Sequence, residues 1–275
     1  MSTIPEVSFV QLDDGLTLHY QEAGRKEDEA VLFIHGSGPG ASGYSNFKGN
    51  YPVFAEAGYR AIVPDLPGYG LSDKPETEYV LDFFVDAMIG LLDKLDVKKA
   101  VLVGNSLGGA IAIKMALDYP ERVSKLIMMA PGGLMDKAEY YQKMEGIQKM
   151  GAAFAAGELV EPEAMKRLLS LQLYNPEQIT DEIVSERVAI VKEQPIFVLS
   201  TMQVPNMTGQ LSDIKAPILG MWGMNDKFCP VEGAQTMMAH CSKIRFSLVS
   251  ECGHWIMVEH KDLFNRQCLD FLQNG

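Results

Sequence analysis

The chain has 275 residues, of which 47% are hydrophobic and 22% are charged, a composition typical of a folded globular protein and not of a disordered one. Its formal net charge of −12 argues against nucleic acid or an anionic membrane as a partner, because both bind clustered positive charge. No run of about 18 apolar residues and no basic-then-apolar leader is present in the sequence. We therefore expect a cytoplasmic protein without a membrane-spanning segment, in which an anionic substrate needs a local cation.

The four cysteines lie in the last fifth of the chain and show no C-x-x-C spacing: Cys229, Cys241, Cys252 and Cys268. This spacing argues against a zinc or redox site. We expect reduced thiols, no metal and no organic cofactor.

The first 130 residues alternate short apolar runs with helical periods. Val7–Leu12 and Leu16–Gln21 flank an Asp-Gly pair, which predicts a hairpin. Continuous apolar runs follow at Ala30–His35, Tyr59–Pro64, Ala100–Gly104 and Val123–Met129. Runs without alternation predict strands that are buried on both faces, as in a parallel sheet.

Helical patterns lie between these runs. Tyr79–Leu95 carries apolar residues with a period near 3.6. Leu107–Leu117 is small and apolar nearly all round, which predicts a buried helix. Strands that alternate with helices over short connections predict an α/β fold with a doubly wound, mostly parallel sheet.

The alternation stops after Gly133. Only helical periods follow, at Lys137–Met150, Glu163–Leu173 and Asp181–Lys192. Strand-like runs resume at Ile218–Trp222 and Ile244–Val249, and a last amphipathic helix is predicted at Lys261–Leu272. We therefore predict one α/β core in two parts, residues 1–133 and 205–275, with a helical cap or lid at residues 134–204.

The strongest motif is G-x-S-x-G, formed by Gly104, Ser106 and Gly108 between a predicted strand and a predicted helix. This context is the one that a nucleophile elbow requires, because the glycines allow a sharp turn that exposes the serine. The alternative is a plain turn with a capping serine. We predict Ser106 as the nucleophile.

A serine hydroxyl needs a base and an orienting acid, which in this fold type follow in the order serine, acid, histidine. His254 lies in a loop just past the predicted strand Ile244–Val249, and Asp226 lies just past the strand Ile218–Trp222. We predict His254 as the base and Asp226 as its orienter.

The other histidines fit these roles less well. His19 lies in the hairpin, His240 ends a predicted helix and His260 begins one. His35 precedes a glycine loop and is interpreted as a structural hydrogen-bonding residue. Asp65 precedes the serine in the chain, so we expect it to order a loop.

A second glycine-rich loop runs from His35 to Gly40 (HGSGPG) after a predicted strand. It lacks G-x-G-x-x-G and G-K-[ST], which argues against a phosphate site. Its position matches the loop that supplies one oxyanion-hole amide in hydrolases. We predict the backbone N–H groups of Ser37 and Leu107 as the two donors.

Four segments together resemble one hydrolase family more closely than the triad alone. They are HGSGPGA at 35–41 running into Ser45-Asn46-Phe47, GNSLGG at 104–109, Asn225-Asp226-Lys227-Phe228, and GHW at 253–255. The whole chain resembles the serine α/β-hydrolases, and in particular the meta-cleavage product hydrolases, which cleave carbon–carbon bonds in aromatic catabolism.

This resemblance implies a 2-hydroxy-6-oxo-hexa-2,4-dienoate-type substrate that is cleaved to 2-hydroxypenta-2,4-dienoate and a carboxylic acid. It also implies a homodimer or higher homo-oligomer. The substituent at C6 stays open, and so does the choice between an acyl-enzyme and direct attack by water. An ordinary carboxylesterase with the same triad is the first alternative, and a ligand-binding relative without turnover is the second.

The resemblance also assigns substrate-binding positions by residue: Gly36, Gly38, Asn46, Asn105, Arg187 and Trp255. Arg187 matches the family arginine that holds the carboxylate and 2-oxo end, a role that suits a bidentate guanidinium. Alternatively, Arg187 is a solvated helix residue paired with Glu182 or Glu186. Simple packing is the alternative for Trp255, and loop hydrogen bonding is the alternative for the two asparagines.

Overall fold

A computed structural model describes residues 7–275 of the chain. It contains one sheet of eight strands. In chain order they are β1 (Ser8–Gln11), β2 (Thr17–Ala23), β3 (Ala30–Ile34), β4 (Arg60–Pro64), β5 (Ala100–Asn105), β6 (Val123–Met129), β7 (Ile218–Gly223) and β8 (Ile244–Val249).

The described residues also form twelve α-helices. They are α1 (Gly43–Phe47), α2 (Tyr51–Glu56), α3 (Leu81–Lys94), α4 (Leu107–Asp118), α5 (Lys137–Lys143), α6 (Glu145–Ala155), α7 (Pro162–Leu169), α8 (Asp181–Val191), α9 (Phe197–Ser200), α10 (Glu232–His240), α11 (Ile256–Glu259) and α12 (Lys261–Asn274).

The strand order across the sheet is β1-β2-β4-β3-β5-β6-β7-β8. The β1–β2 hairpin and the β2–β4 pair are antiparallel, whereas all other neighbours are parallel. Every residue of β3, β4, β5 and β7 is buried, as their continuous apolar runs predict. The α/β-hydrolase fold with a mostly parallel sheet is therefore confirmed.

The core lies on both faces of this sheet. Along β3, Leu32 and Ile34 join one hydrophobic cluster, and Val31 and Phe33 join another. Successive side chains of a strand point to opposite faces. Helices cover both layers, so only the ends of the parallel strands are left to carry a site.

Helices α5 to α9 lie between β6 and β7, within the predicted cap segment 134–204, whose domain boundaries stay a prediction. The prediction of a single helix over Lys137–Met150 is wrong, because this segment forms the two helices α5 and α6. The chain breaks at Met144, which adopts an extended conformation with φ −109° and ψ 108°. The break lets the N–H of Gly146 donate to the Lys227 carbonyl at 2.8 Å. A side chain at Gly146 would clash with Phe228, so this contact sets where α6 begins.

The predicted helix at Glu163–Leu173 also ends earlier, at Leu169. The residues that follow bend toward the loop of His254, whose N–H donates to the Gln172 carbonyl at 2.7 Å. A tertiary contact has therefore replaced the last helical turn. Among residues 7–275, no helix has the length and apolar content needed to cross a bilayer.

Candidate active site

Ser106 occupies the sharp turn between β5 and α4. Its φ of 55° and ψ of −114° are strained for a residue with a side chain. A side chain at Gly104 would clash with the backbone of Gly108, and one at Gly108 would clash with the Ile34 carbonyl. Both glycines are therefore needed for the turn. The turn places Ser106 at the positive N-terminal end of α4.

His254 and Asp226 lie past the ends of β8 and β7, as predicted. His254 Nδ1 is 2.7 Å from Asp226 Oδ2, and both side chains are buried. The other carboxylate oxygen, Asp226 Oδ1, accepts hydrogen bonds from the N–H groups of Phe228 (2.7 Å) and Cys229 (3.0 Å). The carboxylate is thus fixed, and it holds the imidazole so that Nε2 is left for other partners.

Ser106 and His254 line the same pocket. Within residues 7–275, Ser106 Oγ forms no hydrogen bond with His254, a common state before substrate binds. The Cys229 thiol lies beside the serine. Burial and the nearby Asp226 hold the pKa of Cys229 well above its ordinary value, against the smaller opposite effect of the Ser106 hydroxyl. This thiol therefore stays protonated and does not compete as a nucleophile.

The two predicted oxyanion donors lie close to Ser106. Leu107 is the first residue of α4, so its N–H has no acceptor within the helix. Ser37 lies within the predicted glycine loop, and both Ser37 and Leu107 line one cavity with Ser106. Their role as oxyanion donors stays a prediction that this placement supports.

Arg187 on α8 is the predicted cation, and it is only 1% exposed. Its Nη2 donates to Asn46 Oδ1 at 2.6 Å, and its Cζ lies 4.8 Å from the centre of the Trp255 ring. Burial lowers the pKa of Arg187 to about 10, which still leaves it charged at neutral pH. Asn46 and Trp255 therefore hold a cation in a desolvated place.

No carboxylate of the described residues pairs with this guanidinium. Glu186 and Glu182, the partners considered from the sequence, face Lys48 instead, at 2.7 and 3.8 Å. Nε of Arg187 has no hydrogen-bond partner within the described chain. A buried charge without a directly paired counterion is costly, so this arrangement calls for an anionic ligand.

The glycine loop packs directly on this arginine. A side chain at Gly38 would occupy the space next to Arg187 Nη1, which the glycine leaves open. Gly40 has a φ of +67°, and a Cβ at this position would clash with the Arg187 carbonyl. The N–H of Gly40 donates to Gln194 Oε1 at 2.9 Å. These contacts fix α8 against the loop that contains Ser37.

Asn105 and Gly36 complete the predicted set. Asn105 Nδ2 donates to the carbonyls of Met129 (3.3 Å) and His254 (3.4 Å), whereas its Oδ1 has no partner within the described residues. A Cβ at Gly36 would crowd Asn105 and Ser106, so the glycine keeps the loop close to the serine.

His35 and Asp65 have the structural contacts that the sequence suggests. His35 Nδ1 lies 2.8 Å from the Gly36 carbonyl, and Nε2 accepts from the Leu66 N–H at 3.0 Å. Burial lowers the pKa of His35 to about 4, so it is neutral at pH 7. Asp65 accepts from the N–H groups of Gly43 and Leu71, both at 2.8 Å, and thereby orders two loops.

Two spaces meet at Ser106. The polar pocket is narrow, about 20 Å³, and is lined by Gly36, Ser37, Gly38, Asn46, Asn105, Ser106, Ile147, Met150, Gln172, Arg187, Phe228, His254 and Trp255. The apolar cavity, about 410 Å³, is lined by Ser37, Ser106, Leu107, Gly132, Gly133, Lys137, Tyr140, Tyr141, Ile147, Met150, Gly151, Phe154, Ala155, Ile196, Leu199, Ser200, Met202, Val204 and Cys229.

Sequence reasoning missed Gln172 and the residues of α5, α6 and α9 that line these spaces. No motif marks them, because their positions depend on how the helices between β6 and β7 pack on the sheet. Of the predicted residues, only Leu107 and Asp226 do not line the polar pocket. Leu107 lines the apolar cavity, and Asp226 lies behind His254.

Comparisons with known proteins agree with this fold. The family model described as alpha/beta hydrolase fold matches residues 29–157. The chain is 39% identical over 267 residues to the 2-hydroxy-6-oxononadienedioate/2-hydroxy-6-oxononatrienedioate hydrolase of Comamonas testosteroni, covering 94% of this chain and 92% of that protein. It is equally similar, at 39% with the same coverage, to the 2-hydroxy-6-oxo-6-phenylhexa-2,4-dienoate hydrolase of Burkholderia cepacia.

Among solved structures, a meta-cleavage product hydrolase from Pseudomonas fluorescens IP01 superposes with a TM-score of 0.85 at 29% identity, covering 97% of both chains. The similarity therefore extends over the core and over the helices between β6 and β7. Together with the residues around Ser106, it shows that this chain belongs to the meta-cleavage product hydrolases of the α/β-hydrolase fold.

Proposed function

We propose that the protein hydrolyses the C5–C6 bond of a 2-hydroxy-6-oxo-hexa-2,4-dienoate-type ring-fission product, giving 2-hydroxypenta-2,4-dienoate and a carboxylic acid. Ser106, His254 and Asp226 carry the reaction, and the amides of Ser37 and Leu107 bind the oxyanion. The substrate is a small anion. The expected homo-oligomer and cytoplasmic location stay predictions.

The observation that carries this proposal is the buried guanidinium of Arg187. It lines the same pocket as Ser106 and His254, and no carboxylate of residues 7–275 forms an ion pair with it. A neutral ester has no use for such a cation. The carboxylate of a dienoate would pair with the guanidinium of Arg187. The distance between Arg187 and Ser106 would then determine which carbon of the substrate lies at the serine.

The chemistry needs a poor leaving group to depart, because the bond that breaks joins two carbons. Conversion of the 2-enol to the 2-ketone moves a proton to C5 and turns the chain into an electron sink. Ser106 Oγ then attacks C6 as His254 takes the hydroxyl proton, and the two amides stabilise the oxyanion.

Collapse of this intermediate breaks the C5–C6 bond. The electron pair passes through the conjugated chain to the C2 oxygen, and protonation gives 2-hydroxypenta-2,4-dienoate. Water then releases the acid from Ser106. The same groups also serve a route in which His254 activates water directly, so the residues leave both routes open.

At the other end of the substrate, we propose an uncharged, apolar C6 substituent. The lining of the apolar cavity is mainly aliphatic and aromatic, and Lys137 is the one charged side chain among its lining residues. Lys137 is exposed, and its Nζ donates to the Met202 carbonyl at 3.0 Å. A carboxylate in this cavity would lose water without gaining a buried partner.

The test follows the visible absorbance of 2-hydroxy-6-oxo-dienoates that differ only at C6, with p-nitrophenyl acetate as the control ester. We expect the protein to bleach at least one dienoate far faster than it hydrolyses the ester. Ser106→Ala should abolish both activities, because removing the nucleophile of a triad costs about 10⁶-fold in kcat.

Arg187→Met separates the C–C hydrolase from a carboxylesterase. The methionine keeps a long, buried side chain but removes the cation, so dienoate cleavage should fall by at least about 100-fold, as for a lost charged hydrogen bond of about 3 kcal/mol. Ester hydrolysis should change little. Fast ester hydrolysis without bleaching of any dienoate would show that the protein is a carboxylesterase. Tight binding of a dienoate without turnover would show that it is a non-catalytic ligand-binding protein.

A further inference from the structure

Gln172 is a buried amide in the polar pocket to which neither the triad nor the family motifs give a role. It follows α7 and is only 4% exposed. It lines the pocket together with Ser106, Arg187 and His254. Glutamine is rarely buried without a hydrogen-bonding reason, so its position calls for one.

The backbone of Gln172 is fixed to the catalytic loop. Its carbonyl accepts from the N–H groups of His254 at 2.7 Å and Trp255 at 3.2 Å. A Cβ at Gly253 would clash with the same carbonyl, so this loop can approach only because residue 253 is glycine. The side chain therefore starts from a fixed point beside His254.

The oxygen of the side-chain amide is unsatisfied. Oε1 of Gln172 is buried and has no partner among the described residues. Two more atoms in this pocket share that state, Oδ1 of Asn105 and Nε of Arg187. Each such group costs free energy until a ligand or water pairs with it. Two acceptors and one cationic donor suit a ligand that presents both a hydroxyl proton and a carboxylate.

We propose that Gln172 is a substrate-binding residue whose amide hydrogen-bonds the C2 oxygen of the dienoate while Arg187 holds the carboxylate. This inference rests on the proposed function. An amide suits a group that changes from hydroxyl to ketone during the reaction. Its oxygen accepts from the enol O–H, and its N–H donates to the ketone oxygen.

Binding to an inactive enzyme tests the contact without turnover. The probe is a 6-phenyl dienoate, titrated by its absorbance shift into Ser106→Ala and into Ser106→Ala carrying Gln172→Leu. We expect the Kd to rise about tenfold in the double variant, as for the loss of one ligand hydrogen bond. Gln172→Met, which matches the length of glutamine, should give the same increase.

Stability separates substrate binding from a structural role. Replacing an unpaired buried amide by an apolar side chain of similar size is neutral or stabilising, so the Tm of Gln172→Leu should not fall. Gln21→Leu is the matched control, because Gln21 is also buried with an unpaired Oε1 but lies on β2 and does not line the polar pocket. It should leave the Kd unchanged.

In the otherwise wild-type enzyme, Gln172→Leu should raise the KM for the dienoate and leave hydrolysis of p-nitrophenyl acetate within twofold. Equal Kd values with and without Gln172→Leu would overturn the assignment. A fall in Tm together with equal losses for dienoate and ester would also overturn it. Failure of the wild-type protein to bleach any dienoate would instead contradict the proposed function, and the binding titration keeps these two results apart.

Discussion

Two buried side chains near the serine, Arg187 and His35, differ in how they tolerate burial. Arg187 remains charged because its ordinary pKa is so high that burial lowers it only to about 10. His35 becomes neutral, since burial lowers its pKa to about 4. The first is thus a permanent cation for an anionic ligand, whereas the second joins the glycine loop to Leu66 through uncharged hydrogen bonds.

The low pKa of His35 predicts acid sensitivity. The unfolded chain takes up a proton near pH 6.5, whereas the folded protein resists it until about pH 4, so protons favour unfolding in this window. This single group should cost about 2.5 kcal/mol of unfolding free energy between pH 7.5 and 4.5. His35→Gln removes the titration and keeps an acceptor for the Leu66 N–H.

The measurement is the free energy of unfolding by urea at both pH values. His35→Gln should be less stable than the wild type at pH 7.5, but its decline on acidification should be shallower by about 2.5 kcal/mol. Carboxylates that titrate in the same range are common to both proteins and cancel in the difference. Parallel declines would show that His35 does not titrate in this way.

The sequence marks the proposed triad more clearly than the proposed substrate-binding residues. Ser106, Asp226 and His254 each follow a strand, and their order along the chain matches the order serine, acid, histidine. The burial of Arg187 could not be derived from its helix, because its neighbours Glu182 and Glu186 are equally plausible partners until Lys48 is brought to them. Gln172 carries no local signal, since its position depends on a backbone contact with His254.

At the scale of elements, the glycine loop and α8 depend on each other. Gly40 has a left-handed φ of +67° and lies against the Arg187 carbonyl, whereas Gly157 has the same backbone conformation, φ +68°, with open space around it. An alanine at either position costs about 1–2 kcal/mol for the left-handed conformation. Only at Gly40 does the new Cβ also push α8 and its arginine away from the loop.

Gly40→Ala should therefore impair dienoate cleavage more than ester hydrolysis. We expect kcat/KM for the dienoate to fall at least about tenfold, because a small displacement of a positioning arginine is amplified in the rate. Hydrolysis of p-nitrophenyl acetate should stay within threefold, since the ester does not use Arg187. Gly157→Ala should lose only the stability that the left-handed conformation costs and keep both activities, and equal kinetic effects in the two variants would contradict this coupling.

Helix α6 separates the two substrate spaces. Ile147 and Met150 line both the polar pocket and the apolar cavity. The polar pocket, about 20 Å³, has room for about one water, and these two side chains lie between it and the larger cavity. The periodicity of Lys137–Met150 predicts helix but not the break at Met144, because the break is caused by the contact of Gly146 with the loop after Asp226.

At the scale of the whole molecule, the net negative charge of the chain contrasts with the positive charge of the polar pocket. A chain with a formal charge of −12 repels anions on average, and the polar pocket reverses this locally with one arginine and the end of α4. The strands, and the burial of β3, β4, β5 and β7, follow from the apolar runs of the sequence. How the helices between β6 and β7 pack over the sheet does not follow from these runs, and this packing shapes the apolar cavity.

The apolar cavity between these helices and the sheet predicts which substrates are cleaved fastest. Relatives named for a nonadienedioate and for a 6-phenyl dienoate are equally similar in sequence, so identity does not choose between them. A phenyl group gains from burial in a cavity of about 410 Å³, whereas a carboxyethyl group would bury a carboxylate without a buried partner. We expect kcat/KM for the 6-phenyl dienoate to exceed that for the 6-(2-carboxyethyl) compound at least about 30-fold, equivalent to about 2 kcal/mol.

Lys137→Met is the control for this preference, because Lys137 is the one charged side chain among the residues lining the cavity. The variant should cleave the phenyl substrate within twofold of the wild-type rate. In the wild type, Nζ of Lys137 donates to the Met202 carbonyl and does not point into the cavity, so its loss should not affect an apolar substituent. Suppose instead that the wild type cleaves the carboxyethyl compound faster and loses that activity in Lys137→Met. Lys137 would then turn inward to pair with the second carboxylate, and the substrate would be a dicarboxylate.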